Sequence, residues 1–192
     1  VVGTVRLGVV VASVRPTRVG DRVGAWVAAV AREQGGFDVD LVDLAEVALP
    51  VGDEPHHPRT GDYVHEHTRA WSRRVAACRA FVLVTPEYNH GYPASLKNAL
   101  DAVLAEWAFK PVGFASYGGV SGGLRAVQQL KQVVLALRMV PVHDGVVLPF
   151  VHGQVDDGGF APTERQAAAA RSMLDELREL AGPLGHLQAG SA

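Results

Sequence analysis

One cysteine, Cys78, stands in 192 residues. That excludes a disulfide framework within the chain and any thiolate metal cluster built from a single chain. A reducing, cytoplasmic setting is the expectation. Neither sign of charge dominates either: Lys and Arg total 18, Asp and Glu total 20, and the net charge is −2. No electrostatic pull toward nucleic acid or an anionic membrane follows from that balance, so neither is expected as a partner. Long apolar runs are missing. Val9-Val10-Val11 is flanked by glycine and arginine, is too short to span a membrane, and lacks the layout of a signal peptide. Internal repeats and low-complexity tracts are absent as well. With 48% hydrophobic and 20% charged residues, the chain is neither disordered nor collagen-like. It has room for one domain, expected over residues 1–182, with residues 183–192 as a short tail.

What is present is an alternation. Val5 to Ala12, Phe37 to Leu44, Phe81 to Val84, Val112 to Ala115 and Val142 to Leu148 read as strands, short and rich in β-branched residues. Helical spacing separates them. It runs from Asp21 to the Gly35-Gly36 stop, with Val23, Trp26, Val27 and Val30 on one face. It returns over Tyr63 to Cys78, over Pro93 to Leu104, and in the stretch where Leu124, Val127, Val134 and Leu135 line the buried face. A last helix spans Arg165 to Leu180. Ser121 is the candidate cap of the helix that starts near it. Strands alternating with helices predict an α/β three-layer sandwich, its parallel sheet covered on both faces and its connections right-handed. Ligands of such sheets sit at the carboxyl ends of the strands, where the strand order reverses.

Three loops leave those ends. Ser13-Val14-Arg15-Pro16-Thr17-Arg18-Val19-Gly20 joins a strand to a helix. A helix N-terminus with hydroxyl and guanidinium donors beside it suits a phosphate monoester; the plainer reading is a capped, solvated turn. Thr85-Pro86-Glu87-Tyr88-Asn89-His90-Gly91-Tyr92-Pro93 offers a stiff, irregular backbone whose N–H and C=O groups can meet the edge of a planar ring, with Tyr88 and Asn89 able to flank it. His90 faces either a substrate, or simply the solvent or a partner subunit. Ser116-Tyr117-Gly118-Gly119-Val120-Ser121-Gly122-Gly123 permits close backbone approach through its glycines, with mobility as the competing explanation.

Several familiar chemistries are missing. There is no Gly-x-Gly-x-x-Gly dinucleotide fingerprint and no nucleoside-triphosphate loop, and no Gly-x-Ser-x-Gly elbow makes a nucleophile of Ser13 or Ser121. His56-His57 and His65-x-His67 lack the i,i+4 spacing of a zinc metalloprotease, so no metal is expected.

Taken together, Ser13-x-Arg15, Thr85-Pro86-Glu87-Tyr88-Asn89, the run from Pro93 through Leu96-Lys97-Asn98-Ala99-Leu100-Asp101, and Gly118-Gly119-x-Ser121-Gly122-Gly123-x-Arg125-Ala126 resemble the NAD(P)H-dependent FMN reductases, in the family's order from residue 5 to about residue 150. The resemblance implies a flavodoxin-like fold with five parallel strands in the order 2-1-3-4-5. It implies FMN as cofactor and NADPH or NADH as electron donor. Ser13, Arg15, Arg18, Val19 and Gly20 then fall at or near the FMN phosphate, although the family often has a second Ser in place of Arg18 and an Asn in place of Gly20. Pro86, Glu87, Tyr88 and Asn89 correspond to positions lining the isoalloxazine and ribityl chain, and Tyr117, Gly118 and Gly119 to positions near the ring's polar edge. Leu96-Lys97-Asn98 and Asp101 correspond to structural and subunit-packing positions.

Hydride transfer to a flavin requires no protein acid or base, so no side chain is assigned as catalytic. The final acceptor implied is a flat small molecule: a quinone, free flavin, an azo dye, or else a metal oxyanion. A homodimer or homotetramer is implied too, with Tyr63, Trp71, Trp107 and the long His56 loop as candidate contacts, unless those aromatics pack inside one subunit. The rival is a flavodoxin-type electron carrier; the net charge of −2 and the Arg15/Arg18 pair count against it.

Overall fold

The apolar segments pair into one parallel sheet. The structure, a computed structural model, describes residues 3–188. In it, β1 (Val5–Val11) lies between β2 (Phe37–Asp43) and β3 (Ala80–Pro86), and β4 (Pro111–Gly118) flanks β3. The fifth position is filled by two short strands, β5 (Val140–Pro141) and β6 (Val146–Pro149), both parallel to β4. The order expected from the resemblance, 2-1-3-4-5, is therefore the order found.

The single last strand expected over Val142 to Leu148 is interrupted. The backbone N–H groups of His143 and Asp144 turn away and donate to the Glu176 carboxylate, at 2.9 and 3.0 Å. A small hairpin, β7 (Val155–Asp156) with β8 (Gly159–Phe160), follows.

Alternation along each strand sends side chains to opposite faces. Val5, Leu7 and Val9 of β1 and Ala80, Val82 and Val84 of β3 pack beneath α1 (Gly20–Gln34) and the last helix, α6 (Glu164–Gln188). Val10, Phe81 and Leu83 pack on the other face, against α3 (Glu66–Ala77), α4 (Ala94–Asp101) and α5 (Leu124–Ala136). A short helix, α2 (Leu44–Val47), sits at the end of β2.

Three expectations are corrected. On α5 the buried stripe is Ala126, Val127, Leu130 and Val134, whereas Leu124 at the helix start and Leu135 beside the stripe are 46% and 58% exposed. The last helix passes Leu180 and Pro183 and continues to Gln188, because Ala181 and Gly185 remain buried and the Gln188 side chain donates to the Phe109 carbonyl at 2.9 Å. The expected tail is thus helical as far as Gln188, and residues 189–192 lie outside the described residues. Finally, Trp71 and Trp107 are core residues. Their indole N–H groups donate to Ala99 and Leu100 carbonyls at 2.8 and 3.1 Å, so they pack within the subunit.

Candidate functional site

The first loop ends at a helix with an open start. α1 begins at Gly20, and its N-cap is Val19, whose side chain accepts no hydrogen bond. The first-turn N–H groups and the positive end of the dipole therefore lack a side-chain cap.

Gly20 is required here by proximity. A Cβ at that position would collide with the hydroxyl of Tyr117, which reaches up from β4. Tyr117 is 5% exposed, and its Oη, close to the Ser13 hydroxyl, makes no hydrogen bond of good geometry among the described residues. Burial pushes its pKa up, so it stays a protonated donor. Nε of Arg18 is likewise buried and unpaired.

The remaining loop groups are partly engaged. Arg18 Nη2 donates to Asp43 Oδ2 at 2.5 Å, and this bond, opposed by desolvation, raises the arginine's pKa. The Arg18 fork is thus shared with the end of β2. Ser13 is buried, with Oγ 2.6 Å from Tyr88 Oη, and the Arg15 guanidinium lies 4.1 Å from the centroid of the Tyr88 ring. Ser13, Arg15 and Tyr88 thereby join the first loop to the second.

The second loop is tighter than its sequence suggests. Pro86 completes β3, and Tyr88 and Gly91 exchange two backbone hydrogen bonds, at 2.8 and 2.9 Å. Asn89 and His90 form the tip, with φ of +50° and +69°. Positive φ at both central residues is the geometry of a type I′ hairpin turn, which non-glycine residues adopt only at some cost. Both side chains are exposed. Ser95 at the start of α4 donates to the Ala12 carbonyl at 2.5 Å, tying the helix behind this turn to the first loop.

The third loop is organised by Glu87. Its Oε2 accepts from Ser121 Oγ at 2.8 Å and from the backbone N–H of Arg125 at 3.1 Å, while Oε1 accepts from Arg125 Nε at 2.6 Å. Burial opposes ionisation, but the Arg125 and Ser121 hydrogen bonds and the arginine charge outweigh it and hold the carboxyl below its usual range. Ser121 is therefore not the cap of α5. The N-cap is Gly123 at φ +87°, and the anion at the helix start comes from Glu87. Gly122 and Gly123, at φ +58° and +87°, bend the chain back on β6 and β4: a side chain at Gly122 would clash with Val147 and Pro149, and one at Gly123 with Ser116 and Tyr117. Gly118 ends β4 and Gly119 is exposed beyond it.

These features divide the two helix starts. That of α5 is filled by a carboxylate; that of α1 is uncapped and faces a buried, unpaired hydroxyl. Of these two, the start of α1 is the one open to an anion, and it also carries Asp21, whose buried Oδ1 has no hydrogen-bond partner among the described residues. Beside it, Val14, Leu44, Leu49, Val51, Ala94 and Ala99 line an apolar hollow of about 420 Å³. The histidines lie elsewhere. His65 and His67 stack at 5.1 Å, His67 pairs with Asp53 at 3.0 Å, and His57 Nδ1 accepts from the Arg59 N–H at 3.1 Å. Among the described residues no group of three or more His, Cys, Asp or Glu side chains is placed to hold a metal.

The family profile described as NADPH-dependent FMN reductase matches residues 5–153. The chain belongs to this family. It is 41% identical over 160 residues to an NAD(P)H-dependent FMN reductase of Schizosaccharomyces pombe, covering 80% of each chain. It is 38% identical over 145 residues to another from Saccharomyces cerevisiae, covering 70% of this chain and 75% of the relative. Its fold matches the flavoenzyme NAD(P)H:(acceptor) oxidoreductase of Paracoccus denitrificans with a TM-score of 0.70 at 23% identity, over 92% of this chain and 97% of that one. As an FMN reductase it is an FMN-dependent oxidoreductase fed by a reduced nicotinamide nucleotide.

The residues present fit FMN. The uncapped α1, the orphaned Tyr117 hydroxyl and the collision that a Cβ at Gly20 would cause describe a cradle for a small, multiply accepting anion. What sequence reasoning missed is Arg125: it appears in the motif, but nothing local in the sequence pairs it with Glu87.

Proposed function

We propose that the FMN phosphate binds at the start of α1, held by the Gly20 and Asp21 backbone, Ser13, Arg15, the Arg18 Nε–H and the Tyr117 hydroxyl. The observation that carries this is the buried, unpaired Tyr117 Oη beside the uncapped helix. The ring and ribityl chain then run between the Tyr88–Gly91 turn and the Gly118–Gly119 backbone, with Pro86, Tyr88 and Asn89 along them. Glu87 acts through its position, since its carboxylate is spent on Ser121 and Arg125.

Bound FMN supplies the two-electron chemistry between a nicotinamide donor and a second acceptor. The chain binds and orients. Backbone N–H groups of the second and third loops that are not paired within the loops would receive the negative charge that develops on the ring, as fixed donors. Tyr88, fixed by Ser13 and covered by Arg15, gives the site an aromatic wall. A flat acceptor of the flavin or quinone class suits such a wall, and one site serving donor and acceptor in turn gives ping-pong kinetics.

The same reading places the enzyme in the cytoplasm as a homodimer or homotetramer. The apolar hollow supports a subunit contact, because Val51 at its rim is 87% exposed and Val14 46%. Initial rates with NADPH or NADH against a benzoquinone and against free FMN test the function. Parallel double-reciprocal lines are expected; intersecting lines would contradict a shared site.

A further inference from the structure

Glu87 reaches across two loops. Its backbone N–H donates to the Tyr117 carbonyl at 3.0 Å, which fixes the second loop to the end of β4. Its side chain, only 6% exposed, passes under the glycine-rich loop to Ser121 and Arg125. One helical turn further along α5, Gln129 donates to the His90 carbonyl at 3.2 Å, at the tip of the positive-φ turn. Arg125 and Gln129 are four residues apart and share a face of α5. The second loop is thus strapped to that face at two points, and the third loop is caught between them.

We infer that Glu87 and Arg125 are positioning residues that set the separation of the Tyr88–Gly91 turn from the Gly118–Gly123 loop, and so the fit of the flavin ring rather than of its phosphate. The inference rests on the proposed placement of FMN. Three observations carry it. Among the described residues the hydrogen bonds to the Glu87 carboxylate come from Ser121 and Arg125, and none from the first loop. The turn it steadies holds two non-glycine residues at positive φ, a conformation that persists only where surrounding contacts over-determine it. Glycine-rich backbone at Gly118–Gly123 has high conformational freedom and needs such a restraint to present its N–H groups reproducibly. The side-chain brace is separate from the cradle at α1: Ser13 bonds Tyr88 and Arg18 bonds Asp43, and the link from Glu87 to Tyr117 runs through backbone that the side-chain variants keep.

The two ends of the cofactor can be read separately, with FMN and riboflavin as probes of the apoprotein by flavin-fluorescence quenching. Glu87→Gln and Arg125→Met are expected to raise the dissociation constants of both flavins by a similar factor, about tenfold, so that the ratio between them stays at the wild-type value. Glu87→Gln keeps an acceptor for Ser121 and is expected to lose less than Glu87→Ala. Arg125 is half exposed on its helix, so Arg125→Met keeps the test open should changes at Glu87 impair folding. Faster hydrogen exchange at the Gly91 and Gly122 amides in the variants provides a readout independent of flavin. Unchanged affinity for both flavins in folded variants overturns the inference alone. Wild-type protein that binds neither flavin overturns the placement of FMN, and the inference with it.

Discussion

Glu87 caps a helix that begins 37 residues after it: the carboxylate takes the backbone N–H and the guanidinium of Arg125, in positions where a local serine would ordinarily serve. This pairing closes the start of α5 to anions, whereas α1, after the first loop, and α4, after the second, begin without a side-chain cap, and α1 is the one that faces the Tyr117 hydroxyl. The chemistry at each end of the proposed cofactor site follows from that asymmetry.

Tyr117 separates stability from binding. A buried hydroxyl with no partner costs about 1–3 kcal/mol, and Tyr117→Phe removes it. The apoprotein is expected to unfold at higher urea, while FMN is held several-fold less tightly. Riboflavin, which has no phosphate, is expected to be unaffected. Equal weakening of FMN and riboflavin would show that the hydroxyl does not serve the phosphate.

Gly20→Ala places a methyl group on the Tyr117 hydroxyl. Overpacking of this kind costs about 1–3 kcal/mol. Combining it with Tyr117→Phe is expected to recover part of the loss, and a double-mutant cycle of thermal or urea midpoints measures the coupling. Strict additivity would mean the two groups do not meet.

Arg15→Ala is expected to weaken FMN retention by about tenfold, consistent with loss of a charge-assisted contact, and to leave riboflavin binding nearly unchanged. Equilibrium dialysis against each flavin provides the comparison. Unchanged FMN retention would remove Arg15 from the phosphate site and leave it a partner of the Tyr88 ring alone.

Lys110 gives the fold a pH signature distant from the flavin loops. It is 4% exposed, and its Nζ donates to the Val75 carbonyl at 2.7 Å and that of Ala76 at 3.2 Å, closing the end of α3. Burial pulls its pKa down to about 8. Between that value and the roughly 10.4 of a free lysine, the unfolded chain carries more protons, so the group's contribution to stability rises with pH across this window. The urea midpoint of the wild type relative to Lys110→Met is expected to increase from about pH 7 to about pH 10. A flat difference would place the lysine's pKa at its ordinary value.

Much of the fold was legible because it depends on local pattern. Short β-branched runs such as Phe81 to Val84, alternating with amphipathic stretches, are the one-dimensional trace of a parallel sheet covered on both faces, and the observed order follows from the resemblance built on the loop motifs. The three loops at the strand ends were legible for the same reason. Tertiary pairings were not. Nothing near Arg18 announces Asp43, and nothing near Glu87 announces Arg125. Tyr117 reads as part of a glycine-rich loop near the polar edge of the ring, yet β4 extends to Gly118 and carries the side chain into the core. Residues from 183 on read as a tail, but burial of Gly185 carries the helix past Pro183 to Gln188. Each case is a contact between distant segments overriding a sound local signal.

The central claim is that FMN bound at the α1 cradle takes electrons from a nicotinamide nucleotide. Anaerobic mixing of the FMN-loaded protein with one equivalent of NADPH, and separately NADH, followed by visible absorption, tests it most directly. Loss of the oxidised flavin bands with at least one nucleotide, and their return on adding a quinone, is the result predicted. Protein that retains FMN yet keeps those bands with both nucleotides would contradict it.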